Sequence, residues 1–176
     1  MNVPNTLTMI RIALIPVFVA FLLNGYSYAA AGIFIAAAAT DALDGYIARK
    51  KNLVTNFGKL MDPLADKLLV VSALACLTEL GEIASWMVIV ILAREFMITG
   101  LRSVAAGEGV IIAAGASGKW KTAAQMIAIA AVLLRNWPFA LIGFPFDRIM
   151  LWIAVALTVY SGVEYMIKNR SVFASR

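Results

Sequence analysis

The chain has 176 residues, 62% of them hydrophobic and only 14% charged, with a mean hydropathy of +0.88. Soluble domains are about half apolar and a quarter charged, so an ordinary water-soluble enzyme or binding module is excluded. The net charge of +5 suits an anionic leaflet and anionic substrates, while no basic solvated surface is available for nucleic acid.

Apolar stretches recur at Ile12–Leu23, Tyr26–Thr40, Leu68–Thr78, Ile83–Ala93, Thr122–Leu134 and Ile149–Val163. With helical shoulders each approaches the roughly 20 residues that cross a bilayer core. The expected fold is therefore all-α, a single integral membrane domain over residues 1–176 with six transmembrane helices. The first helix opens at Pro4-Asn5-Thr6 and runs from Asn5 to Leu23. It has no basic n-region and the next span follows within a few residues, so it is expected to be a span and not a cleaved signal. The second, Tyr26–Ala48, is rich in alanine, which lets membrane helices approach closely, and its last turns carry Asp41, Asp44 and Arg49. The third begins near Gly58 with Lys59, Asp62, Asp66 and Lys67 before turning apolar. The fourth, Ile83–Val104, contains Arg94, Glu95 and Arg102. A glycine-rich loop, Gly107–Gly118, leads through Lys119 and Lys121 into the fifth, and Asn136-Trp137-Pro138 mark the turn before the sixth. Tryptophans near span ends are expected to be interfacial anchors.

Arg49, Lys50 and Lys51, then Arg102, Lys119 and Lys121, then Lys168, Arg170 and Arg176 follow the even-numbered spans, whereas the Asn24-Gly25 and Glu79–Glu82 loops carry no base. The positive-inside rule then places both termini and the basic loops in the cytoplasm, with Arg135 and Arg148 as minor exceptions. Cys76 is the one cysteine, so no intrachain disulfide exists. Histidine is absent, which removes imidazole as metal ligand, proton shuttle or general base. Any metal must be held by carboxylates and other oxygens.

Asp41, Asp44, Asp62 and Asp66 are four of the ten acidic residues and fall where the chain is otherwise apolar. Each costs about 2.5–3.5 kcal/mol at a span centre, so the cluster needs a compensating partner. Spacings of i,i+3 and i,i+4 put each pair on one helix face. Two such faces meeting make a cage of carboxylates that repel one another unless hard cations lie between them. Gly45 and Gly58 leave room for a ligand or a neighbouring helix, and Pro63 frees the carbonyl of Lys59. Arg49, two turns from Asp41, is placed to reach a phosphate. Lys59 and Lys67 offer a simpler counter-ion reading for one aspartate, but not for four with both glycines and Arg49 in register.

The run Asp41-Ala-Leu-Asp44-Gly45-Tyr-Ile-Ala48-Arg49, followed after eight residues by Gly58-Lys-Leu-Met-Asp62-Pro-Leu-Ala-Asp66, resembles the signature of the CDP-alcohol phosphotransferases, with every fixed position filled. The resemblance implies six transmembrane helices, a homodimer in the cell membrane and a polar cavity open to the cytoplasm. It implies a two-metal site for Mg²⁺ or Mn²⁺ built from Asp41, Asp44 and Asp62, with Asp66 touching the second metal and acting as general base. It also implies that Gly45, Arg49 and Thr55, with Pro4, Asn5, Thr6 and Leu7, hold the CDP moiety of CDP-diacylglycerol.

Three outer segments are similar to the bacterial members that use sn-glycerol 3-phosphate as acceptor. They are Val3–Thr8 with Arg11, Ala93-Arg94-Glu95 with Gly100-Leu101-Arg102, and Gly118–Thr122. The implied reaction moves the phosphatidyl group to that acceptor, giving phosphatidylglycerol phosphate and CMP. Arg94, Arg102, Lys119 and Lys121 are the candidate cations for the acceptor's phosphate, although positive-inside topology accounts for them equally well. The rival within the same chemistry is another acceptor: inositol phosphate, serine or phosphatidylglycerol. From another class, the rival is a small ion or proton transporter, against which stands the lack of matching halves in the sequence.

Overall fold

Long apolar runs that must satisfy their own backbone polar groups have one local solution, the α-helix. The computed structural model describes residues 3–50, 56–107, 109, 112 and 115–170, with the backbone alone described at 3–5, 7, 41–50, 56–60, 62 and 63. Among the described residues there are six α-helices and no strand: Val3–Leu23 (α1), Ser27–Lys50 (α2), Asn56–Glu79 (α3), Ser85–Gly107 (α4), Ala116–Leu133 (α5) and Phe146–Lys168 (α6). A 3-10 turn, Phe139–Ile142 (η1), precedes α6. Of the described helices, α6 alone is long and apolar enough to cross a membrane by length and composition, and Thr8–Leu23 and Ser27–Thr40 are shorter apolar segments. Among the described residues α1 and α2 are apolar over those two segments, while α3 and α4 carry acidic and basic residues within their length.

The chain forms two compact units: Met1–Glu82 with Leu133–Arg135, and Ile83–Val132 with Asn136–Arg176. In the first, α1 packs against α2 and α3. Ala30, Ala31 and Ala37 are buried on α2, and Phe18 of α1 meets Phe34 of α2 with ring centres 6.0 Å apart and planes tilted by 43°. Leu69, Ala73, Leu74 and Leu77 form the buried stripe of α3 at helical spacing. In lipid such contacts stabilise through close packing more than through exclusion of water.

Gly25 and Gly81 end α1 and α3 in the same way. Their φ angles are +85° and +73°, the left-handed region that side chains with a Cβ resist. The residue after each glycine donates its N–H five residues back, Tyr26 to the Phe21 carbonyl and Glu82 to the Leu77 carbonyl, both at 2.9 Å. The turns expected at Asn24-Gly25 and Glu79–Glu82 are where the structure has them.

In the second unit α4 packs along α6, where Ile98, Leu101 and Tyr165 are buried together. Trp86 and Trp152 lie 5.5 Å apart and remain exposed. The helices are longer than expected: α4 runs on to Gly107, and α5 starts at Ala116 instead of beyond Gly118, so Lys119 and Lys121 belong to a helix. The turn foreseen at residues 136–138 is built on Asn136, which has φ +58°. Its Nδ2 donates to the Phe144 carbonyl at 2.7 Å, and its Oδ1 accepts the Asp147 N–H at 3.1 Å in the first turn of α6. Asparagine tolerates the left-handed region because its short side chain bonds locally. Asn136→Ala loses both bonds and the tolerance, and is expected to cost about 1–3 kcal/mol. A lower thermal unfolding midpoint in detergent checks this, with Asn136→Gly recovering only the backbone share.

Candidate active site

The acidic residues sit on the first unit. Asp41, Asp44, Gly45 and Arg49 lie in the C-terminal half of α2, and Asp62 and Asp66 in the N-terminal half of α3. Both stretches are continuous α-helix, so each aspartate pair shares a helix face as the spacing predicts. Helices α2 and α3 pack together in this unit. The side chains of Asp41, Asp44, Gly45, Arg49 and Asp62 lie outside the described ones, and Thr55 lies outside the described residues. Among the described side chains, therefore, no three acidic, thiol or imidazole groups meet. Asp66 is described: it is half-buried, one residue from the fully buried Ala65, and engaged in a polar or electrostatic interaction.

Pro4, Asn5, Thr6 and Leu7 form the first turns of α1, with Thr6 exposed and the other side chains outside the described ones. Just beyond, Thr8 and Arg11 are fully buried on α1 and both are engaged. A guanidinium at 1% exposure is tolerated only with compensating partners. The sequence marks Arg11 solely as part of a resembling segment, and its position in an apolar helix is the available signal.

The basic candidates sit on the second unit, and the structure brings two of them together. Oε1 of Glu95 accepts from Lys121 Nζ at 2.5 Å and from Arg94 Nη1 at 3.1 Å. The Lys121 side chain is 3% exposed and that of Arg94 14%. Arg94 Nε is buried without a hydrogen-bond partner. A third candidate, Arg102, is anchored separately: its Nε donates to the Tyr165 hydroxyl at 3.0 Å, and its guanidinium carbon stands 5.5 Å from the centre of that ring. Lys119, the fourth, is exposed on the first turn of α5. Glu95, Tyr165 and Gly162, the last of which faces Arg94, have no role assigned from sequence. A glutamate inside an apolar run is the one usable sign.

The sequence profile of the CDP-alcohol phosphatidyltransferases matches residues 1–160. A Bacillus subtilis protein named CDP-diacylglycerol–glycerol-3-phosphate 3-phosphatidyltransferase is 51% identical, the match covering 96% of this chain and 95% of that one. Proteins of the same name from Rickettsia bellii and Pseudomonas fluorescens are each 41% identical. Those matches cover 93% and 94% of this chain, and 93% and 89% of the relatives. The chain belongs to the CDP-alcohol phosphatidyltransferase family.

Proposed function

We propose that this chain is an integral membrane enzyme that transfers the phosphatidyl group of CDP-diacylglycerol to sn-glycerol 3-phosphate, releasing CMP and leaving phosphatidylglycerol phosphate. The observation that carries the proposal is near full-length similarity to relatives that bear this activity in their names. The family profile runs through both compact units, in keeping with one domain and one catalytic activity.

The aspartates supply the chemistry. Their donor set suits hard divalent cations: four carboxylates on two helices that pack together, in a chain without imidazole. Asp41, Asp44, Asp62 and Asp66 are the proposed ligands of Mg²⁺ or Mn²⁺. Bound there, such ions would offset the negative charge of the pyrophosphate and of the departing CMP. Gly45, Arg49 and Thr55, with residues 4–7, are the proposed contacts of the CDP moiety. Asp66 takes the proton of the acceptor's primary hydroxyl as that oxygen bonds to the β-phosphorus. The bond from that phosphorus to the bridging oxygen breaks, and CMP leaves with the bond's electrons. Arg94, Arg102, Lys119 and Lys121 receive the acceptor's own phosphate, where paired cations neutralise it before the two anions approach.

The enzyme is read as a multi-pass homodimer of the cell membrane, with its active site on the cytoplasmic side. Support for the membrane comes from α6, and from large apolar side chains facing outward, including Ile89 and Phe96 on α4 and Val163 and Ile167 on α6. The exposed Trp86, Trp120, Trp137 and Trp152 suit the bilayer interface. The test is CMP release by the purified protein with CDP-diacylglycerol and each acceptor in turn. Release is expected with glycerol 3-phosphate, and release only with serine or inositol phosphate overturns the assignment.

A further inference from the structure

We infer that Glu95 is a positioning residue for the acceptor's phosphate, holding Lys121 and Arg94 at a fixed separation; the inference rests on the proposed function above. One carboxylate oxygen takes both cations, Lys121 Nζ at 2.5 Å and Arg94 Nη1 at 3.1 Å. Glu95 thus ties a cation of α4 and a cation of α5 to a single oxygen, which fixes their separation.

The shape of the surroundings points the same way. A Cβ added at Gly162 of α6 would stand 3.2 Å from Arg94 Cγ, and one at Gly118 of α5 3.5 Å from its Nη2. Glycine at these two positions leaves the Arg94 side chain the space it occupies between α5 and α6. Its Nε, buried and without a hydrogen-bond partner, is a donor left for an anion. Lys121, at 3% side-chain exposure, has lost most of its water, and the Glu95 carboxylate is the anion beside it. Glu95 therefore offsets part of the cost of burying two cations before the acceptor arrives, and fixes where they wait.

The sign of the effect makes the idea testable. If Glu95 acted only as a negative charge near a phosphate site, Glu95→Gln would improve phosphate binding. Positioning predicts the reverse: a rise of about ten- to a hundredfold in KM for glycerol 3-phosphate, with KM for CDP-diacylglycerol unchanged. Glu95→Asp, which keeps the charge on a shorter arm, should recover part of the loss. Lys121→Ala tests the underlying reading, because an unchanged KM for glycerol 3-phosphate would show that the acceptor's phosphate binds elsewhere. A raised KM in Lys121→Ala with an unchanged or lowered one in Glu95→Gln overturns the positioning role alone. Should Glu95→Gln fail to fold, Glu95→Asp decides: it keeps the charge on a shorter arm, so a severalfold rise in the same KM supports the inference and an unchanged one overturns it.

Discussion

Asp66→Asn is expected to lower phosphatidyl transfer by about 10²–10⁴-fold while CDP-diacylglycerol still binds. The substitution keeps the size of the side chain and removes its ability to take a proton. Asp66 lies on α3 one turn beyond Asp62 and is half-buried. Turnover followed by CMP release, with nucleotide-lipid binding measured by calorimetry, separates the two effects. Full activity in the variant refutes the proton role.

Stripping divalent cations is expected to take turnover to background, and adding Mg²⁺ or Mn²⁺ back to restore it. Gathered as proposed, the four carboxylates would repel one another once the cations are removed. Asp41→Ala or Asp44→Ala should reproduce the loss, and extra metal should not rescue it, because the ligand itself is gone. Chelator-resistant activity would favour a reaction carried by Arg49 and the other cations.

How much of the fold and site is legible in the sequence depends on distance along the chain. The aspartate pairs are local, at i,i+3 and i,i+4, so their shared helix faces follow from spacing alone and hold on the continuous helices α2 and α3. The ends of α1 and α3 are equally local, because Asn24-Gly25 and the Gly81 turn need a left-handed residue where the helix stops. The start of α5 reads as lying beyond Gly118, since glycines and lysines there resemble a loop. The helix in fact begins at Ala116, and Lys121 is buried in it because Glu95, 26 residues away, receives its charge. No local pattern encodes that pairing. The same reason hides Tyr165, whose hydroxyl anchors Arg102 across 63 residues of sequence. The Phe139–Ile142 turn escapes notice because four apolar residues are too few to show a period.

The distribution of charge also explains why apolarity alone understates the helices. Arg94 and Glu95 interrupt α4, and Asp66 and Lys67 interrupt α3, and on the proposed function these are positions that serve the site and not the bilayer. An exchange of Arg94 and Glu95 for leucine would make α4 a better span and, on this account, a poorer enzyme.

The most direct test of the central claim is a Mn²⁺ titration of the purified protein, followed by electron paramagnetic resonance of the free ion. The account predicts saturable uptake of a pair of ions per chain, lost together in a variant with Asp41, Asp44 and Asp62 changed to asparagine. Equal uptake by that variant, or none by the natural protein, would contradict it.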